Sequence, residues 1–583
     1  MKETIPNARI GLVVLLLGIC FLSPLCAQNS WVNPDTGNWD DSGSWSLGVL
    51  PNISQSVLIT NAGAKTVEIT LADAQQHPES LSVHDLTLGG GNTNTLLLHS
   101  FGTNVPFTAV SYVSAKFGGA LIDLGSTFKI GGSLVLQGGA VSISNSEFQC
   151  SGVISLGGSI DQYGGAGSVG EIVDLLAGSY DLHSGILTSS NVYLDGSEDG
   201  GNSVFYQEGG TNSMISLELE SIGGAAYYFS DGLLCASNVS IGAGSESCTF
   251  NQSGGLHQVT NTLAILGNAR YYPPVRIPAA YYQDGATLSA HCIVLNKGIF
   301  DQHNGITTVS GSVQLSGDPD VFSNLAFDGT LACSNLLTAG GAVDVWQSGD
   351  CVVSNLLSFG GYYVGTYNGS GARYNQYQFQ SGTLTASNIE LAAEWVVSSS
   401  TQQGRITNRG YFQLAGIVDI GDANEQLGRF ILASNALVKF TGNNTVLAFA
   451  DSHSETWSNG VTLLVSNWNG SINGGGSEQL KFGSDANGLT ASQVAEIRFI
   501  NPVGFPQGTY AARILNSGEV VPYAPSMQAS RTGNDFVITW PDNTYSLQSA
   551  TNVLGPWTNV ANATSPYSNG LNIFPQQFFR LTR

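Results

Sequence analysis

Short runs in which every second residue is apolar, separated by glycine-bearing turns, fill most of this 583-residue chain. Leu217-Glu-Leu219 and Phe536-Val-Ile-Thr-Trp540 are examples. A period of two places alternate side chains on opposite faces of a strand, and no stretch of comparable length shows the 3.6-residue period of a helix. The runs also repeat as phrases. Tyr180–Leu194 reads YDLHSGILTSSNVYL, Tyr227–Ile241 reads YYFSDGLLCASNVSI, Tyr281–Leu295 reads YYQDGATLSAHCIVL, and Tyr377–Leu391 reads YQFQSGTLTASNIEL. A sister phrase alternates with it at Ile160-Asp-Gln-Tyr-Gly-Gly, Phe205-Tyr-Gln-Glu-Gly-Gly, Phe250-Asn-Gln-Ser-Gly-Gly and Phe300-Asp-Gln-His-Asn-Gly. Merged, the phrases put turn glycines at Gly164, Gly185, Gly209, Gly232, Gly254, Gly285, Gly305, Gly329, Gly349, Gly382 and Gly404, with gaps of 20 to 33 residues. Alternating strands at that interval predict an all-β chain: a right-handed parallel β-helix (β-solenoid) of about 22 residues per coil.

Stacked coils bring equivalent residues within about 4.8 Å, so recurring polar residues should form ladders. Asn191, Asn238, Asn335 and Asn388 make one set, and Gln162, Gln207, Gln252, Gln302 and Gln347 another. Both are expected to bond amide to amide up the stack. Two gaps are long. Residues 267–283 carry Tyr271-Tyr-Pro-Pro274 and Tyr281-Tyr282, and residues 359–377 carry Tyr362, Tyr363, Tyr367, Tyr374 and Tyr377. Insertions in a solenoid collect on a binding face, so these tyrosines are the candidate contact residues.

The first residues read as a targeting segment: Lys2 and Arg9, an apolar run Ile10–Leu22, and Pro24-Leu-Cys-Ala27 before a cleavage point. Without residues 1–27 the chain keeps 17 Lys and Arg (19 less Lys2 and Arg9) and 41 Asp and Glu (42 less Glu3), a net charge of −24. Such a surface repels phosphate backbones, which excludes nucleic acid as the natural partner. No later stretch is apolar over the roughly 20 residues of a membrane-spanning helix. The expected location is therefore secreted or at the cell surface. Cys150, Cys235, Cys248, Cys292, Cys333 and Cys351 show no zinc spacing and read as small buried hydrophobes, with Cys333 and Cys351 about one coil apart.

Trp31, Trp39 and Trp45 stand at the start of the mature chain, as a plug for the open solenoid end or as a sugar-stacking platform; the plug is favoured, because an uncapped end exposes core and unpaired backbone. The Gly-Asn-Trp39…Pro51…Val57-Leu-Ile59 opening resembles that of secreted bacterial proteins with autotransporter-associated β-strand repeats. Where that family has an acid before the strand, this chain has Gln55-Ser56. Residues 445–522, with Thr490-Ala-Ser-Gln493 as a capping box and Gly518-Glu-Val-Val-Pro522 at the end, resemble the last module of such proteins, which commonly precedes a PEP-CTERM sorting tail; no such tail follows here. Residues 525–583, with Trp540, LQSATN, PWTNV and FFRL, resemble a C-terminal module of exported proteins of the Verrucomicrobia. The resulting domain plan is a signal peptide (1–27), N-terminal strands and cap (28–83), solenoid body (84–410), terminal solenoid module with a short helix (411–524) and a small β-sandwich-like domain (525–583).

Catalytic motifs are sparse. Asp231, Asp284 and Asp328 each precede a turn glycine and are the only residues suited to a weak calcium ladder, although Asp-Gly is also ordinary turn chemistry. Asp318-Pro-Asp320 and the Asp301, His303 pair stand alone, and His183, His257, His291 and His303 are expected at unrelated positions of the repeat. No nucleophile elbow, zinc-binding helix or phosphate loop occurs. No catalytic, cofactor-binding or metal residue is assigned. The expectation is an exported structural or adhesive protein whose solenoid presents loops to glycans or other surface proteins. The alternative is a β-helix polysaccharide lyase or glycoside hydrolase, with acids converging across coils.

Overall fold

A computed structural model describes residues 26–91, 93–196, 201–220, 223–242, 246–271, 274–277, 279–317, 322–338, 343–360, 362–363, 373–374, 376–379, 382–392, 394–397, 405–408, 411–414, 417–420, 424–523, 526–540, 545–570 and 576–582. The chain divides between residues 416 and 417 into two compact units.

The first unit is a parallel β-solenoid. In its regular part each coil has two elements. A long strand bends once and contributes to two sheets; Thr211–Glu220, Leu233–Gly242, Leu256–Leu266 and Thr287–Asn296 are successive examples. A short strand forms the third sheet; Ser203–Gln207, Ala225–Phe229, Cys248–Gln252, Ala279–Asp284, Ile299–His303, Ser323–Phe327 and Val343–Gln347 are its members. Each short strand pairs in parallel with the next, as Phe205 with Tyr227, Tyr227 with Phe250 and Phe250 with Tyr281.

Two corners of the coil differ in kind. From short to long strand the chain crosses in two or three residues. Glycine is required there by space as well as by backbone angle: a Cβ on Gly349 would stand 2.0 Å from the Gly329 carbonyl oxygen on the coil below, and one on Gly232 (φ +95°) 2.2 Å from that of Gly210. The stacked glycine is thus Gly210 rather than the Gly209 of the sequence phrase. From long to short strand the crossing runs from two residues (297–298) to fifteen (361–375). Both long insertions build antiparallel hairpins, Asn268–Tyr271 with Pro274–Ile277, and Tyr362–Tyr363 with Arg373–Tyr374.

Inward side chains form continuous columns. Tyr180, Phe205, Tyr227, Phe250, Tyr281 and Phe300 stack with centroids 4.8–5.3 Å apart and ring planes within 8°. Each such contact contributes about 0.5–1.5 kcal/mol beyond the area it buries. The glutamines do not form the expected amide ladder. Gln162, Gln207 and Gln252 recur every 45 residues, which is two coils, so successive members are not neighbours. Instead four of the five Gln oxygens accept from a tyrosine on the next coil: Tyr180 to Gln162 (2.7 Å), Tyr227 to Gln207 (2.7 Å), Tyr281 to Gln252 (2.6 Å) and Tyr377 to Gln347 (2.5 Å). The amide nitrogens donate to backbone carbonyls at the glycine corner, as Gln252 Nε2 to the carbonyl of Thr287 (2.9 Å). In the Asn set, at an outer corner, the amide hydrogen bonds run to residues outside the set, with Asn261 donating to Asn238 and Asn355 to Asn335, each at 2.8 Å, while Asn388 donates to the Asn355 carbonyl (3.1 Å).

The tryptophans form the plug. Trp31, Trp39 and Trp45 are buried edge to face, with Trp31–Trp45 and Trp39–Trp45 centroids at 5.1 and 4.9 Å. Trp39 meets Phe107, which leads through Phe128 to Phe148 along the interior. With their faces covered they cannot serve as a sugar platform. Parallel pairing already joins Ala27–Ser30 to Gln55–Ile59, and that strand to Asp85–Leu88, so coiling begins before residue 84. Buried Gln55 accepts from Asn29 (3.1 Å), a structural role.

In the second unit, parallel pairing links Ala436–Phe440 to Leu463–Ser466 and then to Ile497–Ile500. Antiparallel strands Thr509–Ile514 and Glu519–Tyr523 close this stack, against Ile497–Ile500 and Glu478–Phe482. The Thr490–Gln493 capping box is present and opens the helix Ala491–Ala495. Residues 526–582 carry two three-stranded antiparallel sheets, Gln528–Thr532, Asp535–Thr539 and Tyr567–Gly570, and Thr558–Asn559, Ser546–Ala550 and Phe578–Thr582. Ile538, Trp540 and Leu547 bury themselves among residues of both sheets, including Phe536, Tyr567, Phe579 and Leu581.

Candidate functional site

Alternation along the short strands decides what the third sheet shows to solvent. With Phe205 and Gln207 pointing in, Tyr206 and Glu208 point out. The outward residue between the two buried positions forms a row read by register: Asp181, Tyr206, Tyr228, Asn251, Tyr282, Asp301, Ala326 and Trp346. Tyr206, Tyr228, Tyr282 and Trp346 are 37–41 % exposed, and Tyr163, on the same face, is 50 % exposed. Among the described residues six aromatic side chains are exposed, and five of them lie on this face; Phe117 is the sixth. Tyr206 and Tyr228 stack with centroids at 5.1 Å and planes 11° apart.

A second outward row follows the glutamine position. It brings His183 and His303 to equivalent places, contrary to the expectation of unrelated positions; each stands two residues before its turn glycine, Gly185 and Gly305. Each imidazole lies between carboxylates. His303 Nδ1 is 3.2 Å from Asp328 and Nε2 is 3.5 Å from Asp301, with Asp284 paired to His303 in register. The hydrogen bond to Asp328, against a smaller effect of burial and with help from Asp301, raises the His303 pKa. Set between two acids, the His303 imidazole is stabilised in its protonated form, in which it offsets their charge. His183 Nδ1 is 2.7 Å from Glu208 and Nε2 is 3.9 Å from Asp161, and its ring stacks on Tyr163 at 4.4 Å. Burial, then the charge of Asp161, raises the pKa of Asp181 beside this group.

Of the three turn aspartates, Asp284 and Asp328 join the His303 group, while Asp231 sits one position further on and caps the Gly232 N–H at 2.7 Å. No group of three or more His, Cys, Asp and Glu side chains among the described residues is arranged to hold a metal ion. The remaining candidates disperse. His257 is a core residue, stacked on Phe250 and bonded to Tyr281. His291 bonds Ser310 at an outer corner. Asp318 and Asp320 lie outside the described residues. Of the tyrosines proposed as loop contacts, Tyr281 and Tyr377 are fully buried core residues, because the strand begins before them; Tyr282 is on the outer face. The side chains of Tyr271, Tyr272, Tyr362, Tyr363, Tyr367 and Tyr374 lie outside the described set. The described cysteines of the solenoid form no disulfide. Cys235 and Cys333 lie one register position apart, hence on opposite faces, since Cys333 pairs with Val309 and Ala332 continues the row of Cys235.

In the second unit an open concavity of about 650 Å³ lies beside the short helix, lined by Leu489, Val494, Ile514, Arg513 and Tyr523 among others. Arg513 is held there by the Ile472 carbonyl (2.8 Å) and lies over the Tyr523 ring. No helix among the described residues is long and apolar enough to cross a membrane. Compared with protein-family models, curated proteins and solved structures, the chain matches none.

Proposed function

We propose that this protein is an exported, non-catalytic scaffold with an adhesive role, and that the outer face of the short-strand sheet is its recognition surface. The observation that carries the reading is that, among the described residues, five of six exposed aromatic side chains lie on that one face. Aromatic side chains give large contact area at low entropic cost, and exposed ones gathered on one face mark binding surfaces. Interior columns bonded from coil to coil supply the stiffness of a rod. The test is adhesion to extracellular polysaccharide and to whole cells by the native chain and by a Tyr206→Ser, Tyr228→Ser, Tyr282→Ser, Trp346→Ser variant. At least a tenfold loss of adhesion, with an unchanged circular dichroism spectrum, is expected; equal adhesion overturns the assignment of this face.

The two imidazole–carboxylate groups favour a second reading, a carbohydrate-active enzyme on the same face. It requires new reducing ends or unsaturated uronates when the chain is incubated with a polysaccharide panel. The scaffold reading expects none, because His303 is paired at both nitrogens and no Lys or Arg stands on these strands.

A further inference from the structure

The recognition face has one sign of charge. From 159 to 348 its nine short-strand segments carry Asp161, Asp181, Glu208, Asp284, Asp301, Asp328 and Asp344, and neither Lys nor Arg. Two imidazoles lie among these carboxylates. A polyanion is repelled, and a neutral chain leaves the net negative charge of the face uncompensated. Aromatic rings set among carboxylates suit ammonium groups, which the acids attract and the ring faces accept by cation–π contact.

The spacing narrows the ligand further. Outward residues repeat once per coil, about every 4.8 Å along the stack. An extended peptide returns a side chain to the same side only every two residues, about 6.6–6.8 Å, and loses register with the row within a few coils. A β-linked pyranose polymer presents an apolar ring face at every residue, so successive rings can meet aromatic side chains along the row. It is also stiff, so little conformational freedom is lost when it lies along the row.

We propose that the short-strand face binds a linear amino-sugar polymer with free amines, one ring per coil, with ammonium groups at Asp301 and Asp328 and the sugar bodies against Tyr228, Tyr282 and Trp346. This rests on the adhesive reading above and adds its ligand class. The test is calorimetric titration of the full chain at pH 5.5 and low salt with three hexamers: β-linked glucosamine, its fully N-acetylated form, and lysine. The glucosamine hexamer is expected to bind at least tenfold more tightly than either control. Its affinity should fall at least tenfold in Tyr228→Ser, Tyr282→Ser and, separately, in Asp301→Asn, Asp328→Asn. Equal binding of the lysine hexamer would reduce the effect to net charge and overturn the proposal. Equal binding of the acetylated hexamer, or no binding of any, would overturn it too. Those results leave the adhesion assay standing, so the two readings fail separately.

Discussion

Tyr281 Oη donates to Gln252 Oε1 on the neighbouring coil at 2.6 Å, and His257 Nδ1 lies 2.9 Å from Tyr281 Oη. Since the one hydroxyl proton goes to Gln252, His257 must donate from Nδ1, which makes Nε2 the unprotonated nitrogen. Nε2 is buried and has no hydrogen-bond partner. The same relay recurs with Asn212 in the role of His257: Asn212 donates to Tyr227 (3.0 Å), which donates to Gln207 (2.7 Å).

Phe occupies the Tyr281 position at Phe205, Phe250 and Phe300, so Tyr281→Phe fits sterically. It leaves Gln252 Oε1 and His257 Nδ1 buried and unpaired. The expected loss is about 1–3 kcal/mol, read as a fall in urea midpoint. Adding Gln252→Phe, the residue at 229 in the same column, should recover part of it; a strictly additive loss would contradict the pairing.

His257 is buried neutral, and burial pushes its pKa down to about 3. The unfolded chain takes up the proton near pH 6.5 and the folded chain does not, so stability is full above pH 6.5 and falls as pH drops toward about 3. The slope is about 1.4 kcal/mol per pH unit. Leu fills the adjoining register positions at 234 and 288, and His257→Leu should remove this contribution to acid destabilisation. Parallel pH profiles of the two proteins between pH 6.5 and 4 would count against the assignment.

His303 has the opposite sign. Its folded pKa is raised, so its stabilising contribution is complete below the unfolded value near 6.5 and is lost as pH rises through the folded value. His303→Asn should lower the thermal midpoint at pH 5.5 and leave it unchanged at pH 9. An equal loss at both would assign the effect to packing.

Gln302 lacks a tyrosine. The equivalent residue on the next coil is Leu325, and Gln302 Oε1 is buried without a partner. Leu325→Tyr supplies the missing hydroxyl and should stabilise by about 1 kcal/mol. A lower urea midpoint would show that the added ring overpacks the coil.

Burial raises the Cys150 and Cys333 pKa to about 12, and with the solenoid thiols free, a reductant should not change the thermal midpoint. A thiol reagent should label these two only after unfolding, as checked by mass spectrometry.

The parallel solenoid, the tryptophan plug and the Thr490 cap were legible from the chain, because each depends on local alternation, turn chemistry or an exposed end. The polar columns were half legible. The 45-residue glutamine interval is plain in the sequence, but coil number had to be known before it could be read as every second coil. The row of exposed aromatics was hidden for a related reason. Tyr206, Tyr228, Tyr282 and Trp346 sit in phrases of different wording, and only strand register places them in one row. The equivalence of His183 and His303 was within reach of the sequence, since each stands two residues before a turn glycine, Gly185 and Gly305. Their carboxylates were not, because Glu208 and Asp328 come from the next coil and only register brings them alongside.

From Gln162 to Tyr281 the glutamine–tyrosine alternation imposes parity on how such a chain can lengthen or shorten. Gain or loss of a 45-residue segment there returns each tyrosine to a glutamine. Gain or loss of one coil would set tyrosine on tyrosine and strand a glutamine oxygen, the condition in which Gln302 is left by Leu325. Heredity by duplication and deletion would then proceed in steps of two coils, while the long-to-short corner, which the interior does not constrain, is free to vary one residue at a time.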